Sequence, residues 1–350
     1  MARQIYRRSS TGRWVVGILL VALVVAIGVI VFVMGPGQQG AGADKPPQES
    51  EPVNDVNSSE VAEVQFKEFV PKSPSGVEIE SEPKLPELPS AAPEQASSQA
   101  ENLIEQAMQS LEGTTPDVVK ARDLLNETLF LPLTGQQRET VKQKMSELSD
   151  KWLFSKTVYS GDSLCENYTV RPGDTLVQIG DEHKVPSQIL MRINNIVDSR
   201  GLRAGESIKV INGPFHCRIS RSQFTLDLYL QKTYVKTFPV GLGKPGHQTP
   251  TGLWVVEPGG KLVKPTWTDP STGRTYRASD LDYPLGSRWI GLVGVSGNAE
   301  NRTGFAIHGT KDPNEIGAAV SRGCIRMYNG DAILVYKLLE PGHSQVRVIE

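Results

Sequence analysis

The sequence predicts a multi-domain chain: a mainly-β C-terminal domain, a β-sandwich or partly closed barrel, preceded by a small βααβ module, a short α-helical segment and an N-terminal transmembrane helix. Three observations predict it. Residues 14–34 form a 21-residue run without a charge. Between residues 98 and 154 apolar side chains recur at helical spacing. From Phe215 onward they alternate with polar ones, and glycine and proline punctuate the runs.

The first 13 residues are cationic, with Arg3, Arg7, Arg8 and Arg13. At about 1.5 Å rise per residue, the uncharged run 14–34 would span roughly 30 Å as a helix, the thickness of a bilayer core. It is longer than a signal-peptide core of about 15 residues, which favours an anchor; the small residues Ala41–Ala43 leave cleavage as the alternative. The basic flank would stay cytoplasmic in either case, leaving the rest of the chain outside the membrane.

Residues 35–97 are rich in proline, and between Asp44 and Glu94 hold twelve acidic residues against four lysines. Such a composition buries too little apolar surface to offset its ordering entropy, so a disordered tether is expected. Its reach would be about 45 Å. Residues 98–156 then read as three amphipathic helices, with Thr115 as an N-cap ahead of Pro116. They suggest a tetratricopeptide-like spacer, or a surface for a protein partner.

Residues 167–212 carry "YTVRPGDTL", "NN" and "AGESIKV". The pattern is a strand, a helix from about Thr175, a second helix from Ser187 and a closing strand Ser207–Ile211. A module this small has a marginal core. Cys165 and Cys217 flank it, and outside the cytoplasm a Cys165–Cys217 disulfide is expected. The segment resembles a LysM module, a family that binds glycans containing N-acetylglucosamine. The resemblance implies a groove lined by Gly173, Asp174, Thr175, Leu176, Asn195 and Ile196. Val177 stands where many members carry an aromatic residue.

In residues 215–350 the alternating stretches "RISRSQFTLDLYL", "TYVKTFPVGLG", "TPTGLWVVEPGG" and "RWIGLVGVSG" read as strands, and "GDAILVYKLLE" as a helix. From residue 216 there are sixteen Lys/Arg against eleven Asp/Glu, a net of +5, which suits an anionic polymer. Cys324 is the odd cysteine, in "SRGCIRM", sixteen residues after His308 in "AIHGT". A cysteine nucleophile needs a base or cation nearby to form its thiolate. Among the five histidines, His308 suits that part by elimination. Ser321 is placed to support the imidazole. Gly323 permits close approach of substrate, and its amide with that of Cys324 would make an oxyanion hole. Arg326, two residues on, would share the face of Cys324 and pair with a carboxylate or hold a loop.

The combination His-Gly, then Ser-x-Gly-Cys-Ile-Arg, resembles the L,D-transpeptidase (YkuD-type) catalytic domain, with "TPTG" at Thr249–Gly252 as further support. Many members read Ser-His-Gly-Cys, whereas Arg322 stands here, a change that would alter substrate contacts or the thiolate fraction. The resemblance implies an extracytoplasmic, periplasmic or wall-facing acyltransferase acting on peptidoglycan, with Cys324 as nucleophile and His308 as base and acid. Its product would be a 3→3 crosslink between stem peptides. Neither cofactor nor metal nor nucleic acid is expected. Rival readings are an L,D-carboxypeptidase, attachment of protein to peptidoglycan, and a non-catalytic wall-binding scaffold.

Overall fold

The computed structural model describes residues 97–350. The basic tail, the uncharged run 14–34 and the tether lie outside them. Among the described residues no helix is long and apolar enough to cross a membrane.

Three helices come first: α1 (Ser98–Ser110), α2 (Val118–Thr128) and α3 (Gly135–Trp152). Ser97, Asp117 and Thr134 cap them, each accepting a bond from a first-turn amide. The second helix therefore starts two residues later than its proline suggests. Pro116 is followed by Asp117, whose carboxylate caps Lys120 N better than the expected Thr115 could from further back.

Strand β1 (Cys165–Thr169) pairs antiparallel with β2 (Ser207–Ile211), and α4 (Leu176–Glu182) and α5 (Ser187–Ile193) lie between them in sequence. This is the expected βααβ order. Thr175 begins α4 with a full capping box to Gln178. Asn194 pins the end of α5 to β2: it donates to Leu190 O and Lys209 O and accepts from Lys209 N at 2.8 Å.

The C-terminal region is a mainly-β half-barrel built on one eight-stranded sheet. Its strands are β3 (Phe215–Ser220), β4 (Thr225–Leu230), β5 (Thr233–Pro239), β7 (Gly252–Leu262), β10 (Trp289–Gly297), β11 (Phe305–His308), β13 (Ile325–Arg326) and β14 (Gln345–Ile349). They run in the order β13-β11-β10-β7-β14-β3-β4-β5. Among the described residues the other sheets have two strands each, so the half-barrel and not the sandwich is what forms. The pairs β14–β3 and β11–β13 are parallel, and the second of these builds the site. "RISRSQFTLDLYL" is two strands, not one: the chain reverses at residues 221–224, where Phe224 takes a left-handed φ of 53°. Short strands β6 (Leu242–Gly243) and β12 (Ala319–Ser321) pair with each other, as do β8 (Trp267–Thr268) and β9 (Thr275–Tyr276) in a separate hairpin. Helix α6 (Asn329–Leu338) buries Ala332, Val335 and Leu338 against the sheet.

The helical segment packs on this chain's own sheet. α3 lies against β5, where buried Lys142 donates to both carboxylate oxygens of Asp227, at 3.0 and 2.8 Å. Asn126 accepts from Tyr234 N at 2.9 Å. The end of α3 is held from the other side by Lys209 of β2, whose ammonium donates to the carbonyls of Trp152, Ser155 and Thr157. A face expected to receive a protein partner is thus occupied by the edge strand of the sheet.

Candidate active site

Strands β11 and β13 run parallel with Ile307 opposite Ile325 and His308 opposite Arg326. One step back places Cys324 beside Ala306. Alternation then sends Ile307 and Ile325 into the core, where both are buried, and sets His308, Cys324 and Arg326 on the opposite face. A parallel pairing thus brings together two residues sixteen apart in sequence.

The Cys324 thiol is half-buried, 4.0 Å from Gly304 O. Burial pushes it above the usual thiol value, while a backbone bond at Ala306 and the charge of Arg326 pull it down. His308 is 3% exposed, and burial lowers it to about 4; bonds to the carbonyls of Gly309 and Leu285 offset this, and Arg326 adds to it. The ring is neutral at neutral pH. Its Nδ1 lies 2.6 Å from Gly309 O. A carbonyl only accepts, so a proton is assigned to Nδ1, facing Gly309 O. Trp289 stacks on the imidazole, with centroids 5.7 Å apart and planes at 17°.

The polar groups of Ser321 bond elsewhere than His308: its carbonyl accepts from Lys244 N at 2.9 Å. Its hydroxyl donates to Cys324 O at 2.6 Å and accepts from Gly323 N at 3.1 Å, closing the turn that carries the thiol. The imidazole takes its bond from the next residue along its own strand instead. Because Gly323 N is spent on Ser321 Oγ, the expected pairing of the Gly323 and Cys324 amides does not stand open in this state. Gly323 has φ +115°, and a Cβ there would lie 2.6 Å from Phe305 Cε1. Only glycine fits both demands.

The two arginines are already paired. Arg326 donates to Glu315 Oε1, and Glu315 Oε2 accepts from the Thr310 hydroxyl. Arg322 is half-exposed and 3.8 Å from Asp269, between β8 and β9. Both parts open to Arg326, pairing with a carboxylate and holding a loop, meet in its ion pair with Glu315.

Three further residues shape the site and were not singled out as site residues. Thr249, inside the "TPTG" stretch, donates to Gly323 O at 2.9 Å. Asn329 donates to Thr310 O and accepts from Ser287 N, both at 2.8 Å, fastening the chain beyond His308. Trp289 is the third. None has a local pattern that reveals the contact, which forms only once the strands are assembled. Among the described residues no three His, Cys, Asp or Glu converge as a metal site.

With this geometry established, the relatives are informative. Residues 214–348 match the L,D-transpeptidase catalytic domain, and residues 168–210, just before it, match the LysM domain. The protein YkuD of Bacillus licheniformis is 32% identical over 182 residues, covering 50% of this chain and 94% of that one. The chain belongs to the L,D-transpeptidase family. YkuD of Bacillus subtilis is 33% identical over 187 residues, again with 50% and 94% covered. The solved catalytic domain of an Enterococcus faecium L,D-transpeptidase has a TM-score of 0.30 at 19% identity, covering 38% of this chain and 95% of that one.

In this L,D-transpeptidase family member the LysM residues expected to line a groove are divided. Gly173, Thr175 and Asn195 are exposed, Gly173 with φ 92° and Asn195 with φ 58°. Asp174 is held by Tyr168 OH and Arg171 N, each at 2.8 Å. Leu176 is 1% exposed and Ile196 packs on the core, so Leu176 serves the fold and not the groove. A shallow cleft of about 910 Å³ runs beside this set, along Glu166–Pro172, His183, Ala204 and Gly205.

The expected Cys165–Cys217 bridge is absent: both thiols are free. Cys165 lies on β1 and Cys217 on β3, in separate sheets, at 1% and 0% exposure. Each acts as a small apolar side chain, and burial pushes Cys165 up to about 12 and Cys217 higher still.

Proposed function

We propose that this protein is a membrane-anchored cell-wall L,D-transpeptidase forming 3→3 peptidoglycan crosslinks through an acyl-enzyme on Cys324. The observation that carries this is the parallel pairing of β11 and β13, which sets a half-buried thiol and a neutral imidazole on one face of the sheet. His308 Nε2 takes the thiol proton as Sγ attacks the carbonyl of the diaminoacyl residue at stem position three. The peptide C–N bond breaks, and D-alanine leaves with that proton. An amine of a neighbouring stem then attacks the thioester, giving up a proton to His308 and freeing the thiol. In this reading the Cys324 amide meets the oxyanion, joined by Gly323 N once it leaves the Ser321 hydroxyl.

The LysM module supports a glycan strand as the partner, since tethering beside the site raises local substrate concentration without new contacts at the thiol. Anchoring rests on the uncharged run 14–34 behind its basic flank, which would place the catalytic region in the periplasm or wall.

The test uses the full-length protein with disaccharide-tetrapeptide and, separately, a carbapenem, read by intact mass. Crosslinked dimers lacking one D-alanine, with an adduct lost in Cys324→Ala, are expected. Tripeptide alone would turn the reading to a carboxypeptidase. Neither product nor adduct would reject the enzyme.

A further inference from the structure

Glu315 sits on the loop between the two strands of the site, outside every motif that singled the site out. Its carboxylate is divided. One oxygen accepts from Thr310, two residues beyond His308, and the other accepts from Arg326, two residues beyond Cys324. The bonds therefore tie the chain just beyond β11 to the end of β13, where Arg326 stands level with His308. Both partners of the ion pair are about three-quarters buried, so solvent screens them weakly.

The backbone of this loop is fixed as well. Gly241 exchanges two bonds with Arg326, N to O at 2.9 Å and O to N at 2.8 Å. Glu315 O passes so near that a Cβ on Gly241 would lie 2.2 Å from it. Gly317 N donates to Val240 O at 3.1 Å, closing the far end of the loop. Arg326 is thus held through its main chain by Gly241 and through its guanidinium by Glu315.

We propose that Glu315 is a positioning residue for the transfer reaction: it ties the strand ends carrying His308 and Cys324 and holds the Arg326 charge in place beside the thiol. The inference rests on the reading of Cys324 as nucleophile. Arg326 favours the thiolate and disfavours the imidazolium, so its placement sets how readily the proton moves between them. Glu315 limits that charge as well as placing it. The charged and titratable groups around the thiol are His308 on β11, Arg326 on β13, Glu315 on the loop, and Arg322 with Asp269 towards the hairpin.

The test reads alkylation of Cys324 by iodoacetamide against pH, by peptide mass, on full-length wild type, Glu315→Gln and Arg326→Gln. Removing the carboxylate leaves Arg326 uncompensated, so Glu315→Gln is expected to move the midpoint down by about half a pH unit or more. Arg326→Gln is expected to move it up. In Glu315→Ala, which also loses the tie, carbapenem acylation should fall by about tenfold at matched thiolate fraction. Should that variant fail to fold, the near-isosteric Gln variant carries the test alone. An unchanged midpoint in folded Glu315→Gln overturns the proposal. A wild type that shows these shifts but takes no carbapenem would sink the transpeptidase reading and leave the positioning intact.

Discussion

Thr249 donates its hydroxyl proton to the carbonyl of Gly323 at 2.9 Å, across 74 residues of sequence. That bond fixes the main chain immediately before the thiol. Thr249 is 1% exposed, so a Thr249→Val replacement keeps the shape and leaves a buried carbonyl without its donor. A loss of about 1–3 kcal/mol in unfolding free energy is expected. Carbapenem acylation should slow with it, and Thr249→Ser should restore both. Chemical denaturation and stopped-flow acylation, run on the three proteins, check this.

Gly323 itself offers a sharper test. Ala at this position would meet a left-handed φ of +115° and the Phe305 ring at 2.6 Å. Backbone strain of about 1–3 kcal/mol is expected, before any clash. The turn should shift, and the Gly323→Ala protein should lose its adduct while its far-ultraviolet circular dichroism remains that of wild type. An adduct formed at the wild-type rate would contradict the geometry.

Acid should destabilise the fold through two histidines. His308 and His216 are both buried and lowered to about 4. Unfolded imidazoles protonate near 6.5 while the folded ones stay neutral, so the unfolded state binds more protons between those values. Stability is therefore full above about 6.5, falls as pH drops through the window, and levels off near 4. Each histidine should account for about 3 kcal/mol across it. Melting curves from pH 7 to 4 should show the slope, and His216→Phe should flatten part of it.

The ion pair under α3 should behave as a buried pair does. Lys142→Met strands Asp227, 5% exposed, with the Thr237 hydroxyl and the more distant charge of Arg138 as its remaining neighbours. Destabilisation of about 3–5 kcal/mol is expected, and Lys142→Met with Asp227→Leu should recover most of it. Urea unfolding of the single and double variants decides the point.

How far the chain could be read in advance follows from the range of each interaction. The start of α4 at Thr175 was legible because a capping box spans three residues, and β2 because its pattern is local. Cys324 and His308 were legible as a pair through their motifs. What hid from the sequence is tertiary. Ser321 was expected against His308, yet the turn around Gly323 gives its hydroxyl nearer partners in Cys324 O and Gly323 N. Glu315 and Asn329 stand in no pattern that reveals them. Their value comes from a parallel strand pair and from the loops closing its ends. The division of "RISRSQFTLDLYL" into a hairpin was missed because Phe224 turns the chain where no glycine or proline marks it.

The free thiols have a practical consequence. With Cys165 and Cys217 both sealed in the interior, a thiol-reactive electrophile meets a single thiol, that of Cys324, on the native molecule. Each equivalent consumed then counts one folded Cys324 thiol, so a preparation carries its own titrant. All three thiols are free in this fold, and burial keeps those of Cys165 and Cys217 out of reach of Cys324.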